Sequence, residues 1–216
     1  MGRLGLLGCV GVLILVLVIG GIWFVGVRNH LVDLDQQVLG QWAQVETAYQ
    51  RRADLIPNLV KTVQGAANFE KSTLQAVVEA RARVGQMQAP AGGPPGSSGS
   101  TADSAPNNPA AFQQFAQAQD QLSGALSRLL VVVERYPDLK SNQNFLELQS
   151  QLEGTENRIS VERHRYNEMV QAYDTAILRF PGNIVANFSG FKPRPYFKSA
   201  AGAEQAPSVD FNFNTK

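Results

Sequence analysis

Three groups of polar residues have the types and spacing to do chemistry. Arg51, Arg52 and Asp54 stand one turn before Pro57, with Asn58 just after it. Arginine forks can hold an anion or an acidic partner. The same residues can also satisfy backbone groups that a proline frees inside a helix. Glu134, Arg135, Asp138 and Lys140 surround Pro137, where caps and solvated charges are the plain expectation. If Arg51 or Arg52 reaches Glu134 or Asp138, the two proline-marked sites form one charge cluster. Glu153, Glu156, Asn157, Arg158, Glu162 and Arg163 form the third group. Glu156 and Glu162 are two steps of three apart and share part of a helical face.

That pair of carboxylates does not make a metal centre. A di-metal bundle site takes Glu-x-x-His from two helices. Here Glu162 and His164 are two apart, and the other histidine, His30, lies beside the apolar N-terminal run. Nucleophilic chemistry lacks its parts as well. The one cysteine, Cys9, is inside that apolar run. There is no Gly-x-Ser-x-Gly elbow and no phosphate loop, and Gly92-Gly93-Pro94-Pro95-Gly96 is proline-locked. The expectation is a protein that is not an enzyme, with no cofactor and no metal. The candidate polar cluster, for a partner or for structure, is Arg51, Arg52, Asp54, Asn58, Glu134 and Asp138.

These groups must be positioned by helices. The chain has 216 residues and a formal net charge of +1, room for one domain plus an anchor. So even a balance gives no basic face for nucleic acid. Residues 4–27 are almost wholly apolar and carry no charge. At ~1.5 Å per residue, roughly 20 residues span a bilayer core. The run exceeds a signal-peptide core and continues into Arg28 and a helical pattern, so it reads as a permanent single-pass anchor and the bilayer as its partner. Residues before Cys9 are too few for a lipoprotein signal. Arg3 and the N-terminal amine oppose Arg28, which Asp33 and Asp35 follow. This leans toward an N-terminus inside the cell and a bundle outside the cytoplasm.

From Leu31 the apolar residues recur at steps of three and four: Leu31, Leu34, Val38, Trp42, Val45, Tyr49, Ile56, Leu59, Val63. This is the stripe of a packed helix, with a kink or break expected near Asp54–Asn58. A second stretch runs from about Glu70 to Met87, and Gly65 and Asn68 mark a turn unless the two form one rod. Residues 89–110 are Pro/Gly/Ser-rich and read as a flexible linker. A third helix spans about Ala111 to Tyr136. A fourth spans about Asn142 to Phe180, with Asp138 or Ser141 as its cap. Pairing of helix one with two and three with four is expected along their length. Residues 182–199 read as an extended aromatic segment over the bundle end, and 199–216 as a disordered tail.

Several segments resemble the LemA family of bacterial membrane proteins. They are Gln41-Trp42-Ala43-Gln44-Val45-Glu46, Arg51 to Val60, Leu130 to Lys140, Asn144-Phe145, Leu148-Gln149 and Glu153 to Ile159. Tyr166-Asn167, Phe180-Pro181 and Gly190-Phe191 fit too. The resemblance covers about residues 27–197. It implies one N-terminal anchor and an antiparallel bundle of long helices, with no established reaction or ligand.

The expected protein is all-α: a short tail (1–3), a transmembrane helix (4–27), a helical bundle (28–198) containing the linker, and the tail. The expected place is a bacterial inner membrane. The expected task is a structural or self-assembling scaffold, a homo-oligomer. The alternative is an adaptor that binds a membrane protease or cell-envelope protein, testable by deleting Phe188 to Lys198.

Overall fold

The computed structural model describes residues 2–65, 70–88 and 105–198. Helix α1 spans Gly2–Gln64, 63 residues without interruption, or ~95 Å at the α-helical rise. The apolar run and the first bundle helix are therefore one rod. It passes through Pro57. Proline removes the N–H that would reach the carbonyl four residues back, here that of Ala53. Arg81 supplies the missing donor, its Nε lying 3.1 Å from the Ala53 carbonyl oxygen.

Helix α2 is Lys71–Gln88, α3 is Pro109–Val133, α4 is Pro137–Lys140, α5 is Gln143–Leu178 and α6 is Gly182–Ser189. No strand occurs among the described residues. Helices α1 and α2 are separate, with Gly65 in a turn. Helix α3 begins inside the segment read as linker. Asn108 caps it, its side chain accepting from the Ala110 and Ala111 N–H groups. Residues 89–104, most of that linker, and the tail 199–216 lie outside the described residues. Asn142, not Asp138 or Ser141, caps α5, accepting from the N–H groups of Asn144 and Phe145.

The helices run alternately up and down. Gln41 meets Glu162 and Arg52 meets Glu156 across α1 and α5, and Arg83 meets Gln121 across α2 and α3. The closely packed pairs are α1 with α5 and α2 with α3, which corrects the expected pairing of helix one with two and three with four. Length explains it. The stripe from Leu31 to Val63 needs a cover of similar length, and only α5, with 36 residues, supplies it.

The core falls into two clusters. Nearer the apolar run, Leu31, Val38, Trp42, Tyr49, Phe112, Phe115, Tyr166, Tyr173 and Phe197 are packed together. Farther away, Ile56, Leu59, Val63, Leu74, Val77, Leu122, Leu129 and Phe145 are the main members. Helix α2 contributes only to the far cluster.

The segment read as wholly extended holds a helix, α6. Eight residues are too few for an apolar period to show. Gly190 ends it with φ of 78°, while the N–H of Phe191 reaches the carbonyl of Ala186 at 3.0 Å. Residues 191–198 then run without helix or strand along α5, and we call them the strap.

Candidate functional site

Of the six residues expected to form a polar cluster, the structure takes one into the interior. Arg52 is 2% exposed. Its Nη1 donates to Ser123 Oγ at 2.7 Å and to Glu156 Oε2 at 2.8 Å. Its Nη2 donates to Gln119 Oε1 at 2.5 Å and lies 3.3 Å from the Gln119 carbonyl. The guanidinium also stands 5.1 Å from the centre of the Tyr49 ring. One side chain thus joins α1, α3 and α5 at the boundary of the two clusters. Position 52 is three after Tyr49 and four before Ile56, so the stripe itself pointed inward there.

The other five stand outside. Arg51 is exposed. Asp54 is exposed and accepts from Gln50 at 2.8 Å. Asn58 is exposed beside Lys61 and Thr62 in a shallow groove facing Asn144 and Gln151. Glu134 follows the end of α3, and Asp138 lies in the first turn of α4, both exposed. The ion pairs of the described residues do not join Arg51 or Arg52 to Glu134 or Asp138. Arg52 pairs with Glu156, and Arg135 with Glu70 at 3.5 Å.

Two further polar bridges hold the near half. Glu162 is buried at 4% exposure. Its Oε2 accepts from Gln41 Nε2 at 2.8 Å, while Arg165 and Arg158 approach its Oε1 at 3.4 and 3.8 Å. The carboxylate is thereby committed to α1 and to its own helix. His164, by contrast, is exposed, 3.4 Å from Glu168. No group of three or more His, Cys, Asp or Glu gathers among the described residues.

The second bridge centres on Arg194 of the strap. It pairs with Asp35 of α1 and donates to the carbonyl of Pro106 at 3.2 Å. Its backbone N–H reaches Asp174 Oδ1 at 3.1 Å. Burial raises the Asp174 pKa above its ordinary 3.8, against the pull of Arg194 and the Tyr196 hydroxyl. Strap carbonyls accept from Tyr166 at 3.2 Å, from Tyr173 at 3.1 Å and from Asn167 at 2.9 Å. Asn167 also accepts from the N–H of Phe197 at 3.0 Å. Burial raises the pKa of Tyr49, Tyr166 and Tyr173 and pushes Tyr196 up to about 12. The phenols therefore stay protonated donors. No local signal ties Asp35 to Arg194, because 159 residues separate them.

Phe197 is the strap's core residue. Trp42 lies 6.0 Å from its ring centre and Phe112 4.6 Å. Deleting Phe188 to Lys198 would remove part of the core, so that deletion cannot isolate a partner surface.

Above the bundle, residues 11–23 of the apolar run are exposed, and α1 is the one described helix long and apolar enough to cross a membrane. A long, uncovered apolar rod joined to a bundle with a charged, bonded interior defines a class: a helical bundle on a single membrane-type helix. The family follows from comparison. The LemA family model matches residues 41–211, and the chain belongs to the LemA family. It is 28% identical over 189 residues to magnetosome protein MamQ 1 and to MamQ 2 of Paramagnetospirillum magneticum, covering 79% of this chain. It is 27% identical over 175 residues to magnetosome protein MamQ of Magnetospirillum gryphiswaldense, covering 78%. The chain spans 64% of the length of each of these relatives.

Proposed function

We propose that this protein is a non-catalytic, membrane-anchored scaffold at the bacterial inner membrane that assembles with copies of itself. One observation carries the reading: the apolar span and the first core helix are a single uninterrupted helix. The bundle is thereby joined to its anchor without a hinge, and its height above the bilayer is set by the anchor. The polar interior supports it too. Arg52, Glu162 and Arg194 are engaged in holding helices together, as structural groups are. Relatives named as magnetosome proteins are consistent with a role in building a cellular structure. The balance of Arg3 and the N-terminal amine against Arg28, Asp33 and Asp35 favours a bundle outside the cytoplasm.

The test is the mass of the full-length protein in detergent, measured by light scattering beside a chain that begins at Asn29. A large oligomer of defined mass is expected for the full-length protein. Monomers in both samples would remove self-assembly and leave the adaptor reading, a bundle surface that binds a membrane protease or cell-envelope protein.

A further inference from the structure

Helix α5 runs antiparallel to α1, so its last turn returns to the level where the apolar span ends. A cavity of about 670 Å³ records this meeting. Trp23, Gly26 and Val27 form one wall, and Thr175, Arg179 and Phe180 stand opposite. The chain then turns at Pro181 into α6. Gly182 fits there because a Cβ would lie 2.1 Å from the Ala176 carbonyl oxygen. Val185 and Ala186 bury one face of α6 in the near cluster.

The other face is apolar and uncovered. Ile184 and Phe188 are four residues apart and share it, at 52% and 86% exposure. Leu178 and Phe180, just before the helix, are 68% and 75% exposed. Large apolar side chains gathered this way mark a contact surface. Arg28 and Arg179, both exposed, stand at the same level, where cations meet lipid phosphates.

We propose that Leu178, Phe180, Ile184 and Phe188 form a second membrane contact, with α6 lying in the interfacial layer of the bilayer that the apolar span enters. The occupant is lipid because the patch is continuous with the span: Phe180 shares a cavity with Trp23 and Val27. Rings and branched chains partition into that layer, as in helices that lie on membranes. A single helix fixes depth but leaves the bundle free to swivel and tilt. Two contacts fix its attitude. The inference rests on the span reading but not on self-assembly.

The experiment uses the full-length chain in vesicles of phosphatidylcholine and phosphatidylglycerol. In a C9S background, a nitroxide is attached through I184C and, separately, through F188C. L13C in the apolar run and L146C, at a site 48% exposed on α5, serve as references. Collisions with oxygen and with a water-soluble nickel complex are read by electron paramagnetic resonance. Labels at 184 and 188 should show several-fold less nickel access than at 146, with high oxygen access, as lipid gives. Nickel access equal to that at 146 would overturn the contact while position 13 still reads lipid. Low access to both reagents would show a protein cover, such as a second copy, and would also overturn it. Nickel access at position 13 itself would remove the span and the contact together.

Discussion

The half of the bundle near the apolar span and the half beyond Arg52 solve the same packing problem differently. The far half is four helices closed by aliphatic side chains such as Leu122, Leu129, Val77 and Ile56. The near half lacks α2, which has only 18 residues. Rings fill the space instead, and the strap adds Phe197. Trp42 alone lies 5.2 to 6.0 Å from the ring centres of Phe115, Tyr166, Phe112 and Phe197. The polar bonds differ likewise. In the near half, Asp174, Tyr166, Tyr173 and Asn167 bind strap backbone. A segment without regular structure can thus replace a helix if its backbone groups are bonded by side chains from its neighbour.

The largest effect should come from Trp42→Ala. Truncating a buried aromatic costs ~3–5 kcal/mol, and here the cavity opens among rings from three separate segments. Leu129→Ala, fully buried in the far half, should cost a similar or smaller ~2–5 kcal/mol. Denaturant midpoints of the two variants decide whether the rings of the near half carry that weight. A Trp42→Ala loss well below that of Leu129→Ala would break the contrast.

Arg52 sits between the halves, and its two sides are unequal. Arg52→Met leaves the buried Gln119 without its partner, and a hydrogen bond to a charged group is worth about 1.5–3 kcal/mol. Glu156→Gln should cost under about 1 kcal/mol, because an exposed pair is screened and the Glu156 side chain is 58% exposed. Equal losses in a thermal melt would mean that the ion pair, not the link to α3, is the main tie.

Alkali separates the halves by chemistry. Tyr49, Tyr166, Tyr173 and Tyr196 are all tied to the near half, each with a pKa raised above the ordinary 10.0. A phenol raised in the fold is neutral there. Its contribution is fully present below 10.0, the unfolded value, and is lost as pH climbs through the folded value, about 12 for Tyr196. Hydrogen exchange should therefore rise first around Tyr166 and the strap, with α3 beyond Leu122 still protected. Tyr166→Phe should blunt that rise while costing about 1 kcal/mol at neutral pH for the bond to Pro195. Tyrosinate absorbance that appears at 10.0 with no loosening would sink the idea.

Much of this was readable in the chain. The stripe from Leu31 to Val63 specified α1, and Thr155 and Glu162, at steps of three and four from Leu152, Ile159 and Tyr166, are buried as those places require. Arg52 occupies a stripe position between Tyr49 and Ile56, and its burial agrees with the expectation of a buried or half-buried polar group beside Pro57. Its acceptors were not legible, because Gln119, Ser123 and Glu156 lie 67 to 104 residues away. The pairing of α1 with α5 was settled by matching lengths, a comparison across the whole chain. Helix α6 was hidden by its brevity. The strap's hold on Asp35 and Asp174 had no local signal at all.

The smallest effect is the most diagnostic of how α2 is held. Pro57 cannot donate to the Ala53 carbonyl, and Arg81 of α2 does so at 3.1 Å. Arg81→Met should therefore cost about 1 kcal/mol, the usual net worth of one hydrogen bond. Pro57→Ala returns an N–H to the helix and gives Ala53 its own partner four residues on. In that background Arg81→Met should cost almost nothing, so the double-mutant cycle shows a coupling near the full single-variant loss. Additive losses would mean that Arg81 steadies α2 by other contacts, and that the proline in α1 is not what draws the far half's short helix into place.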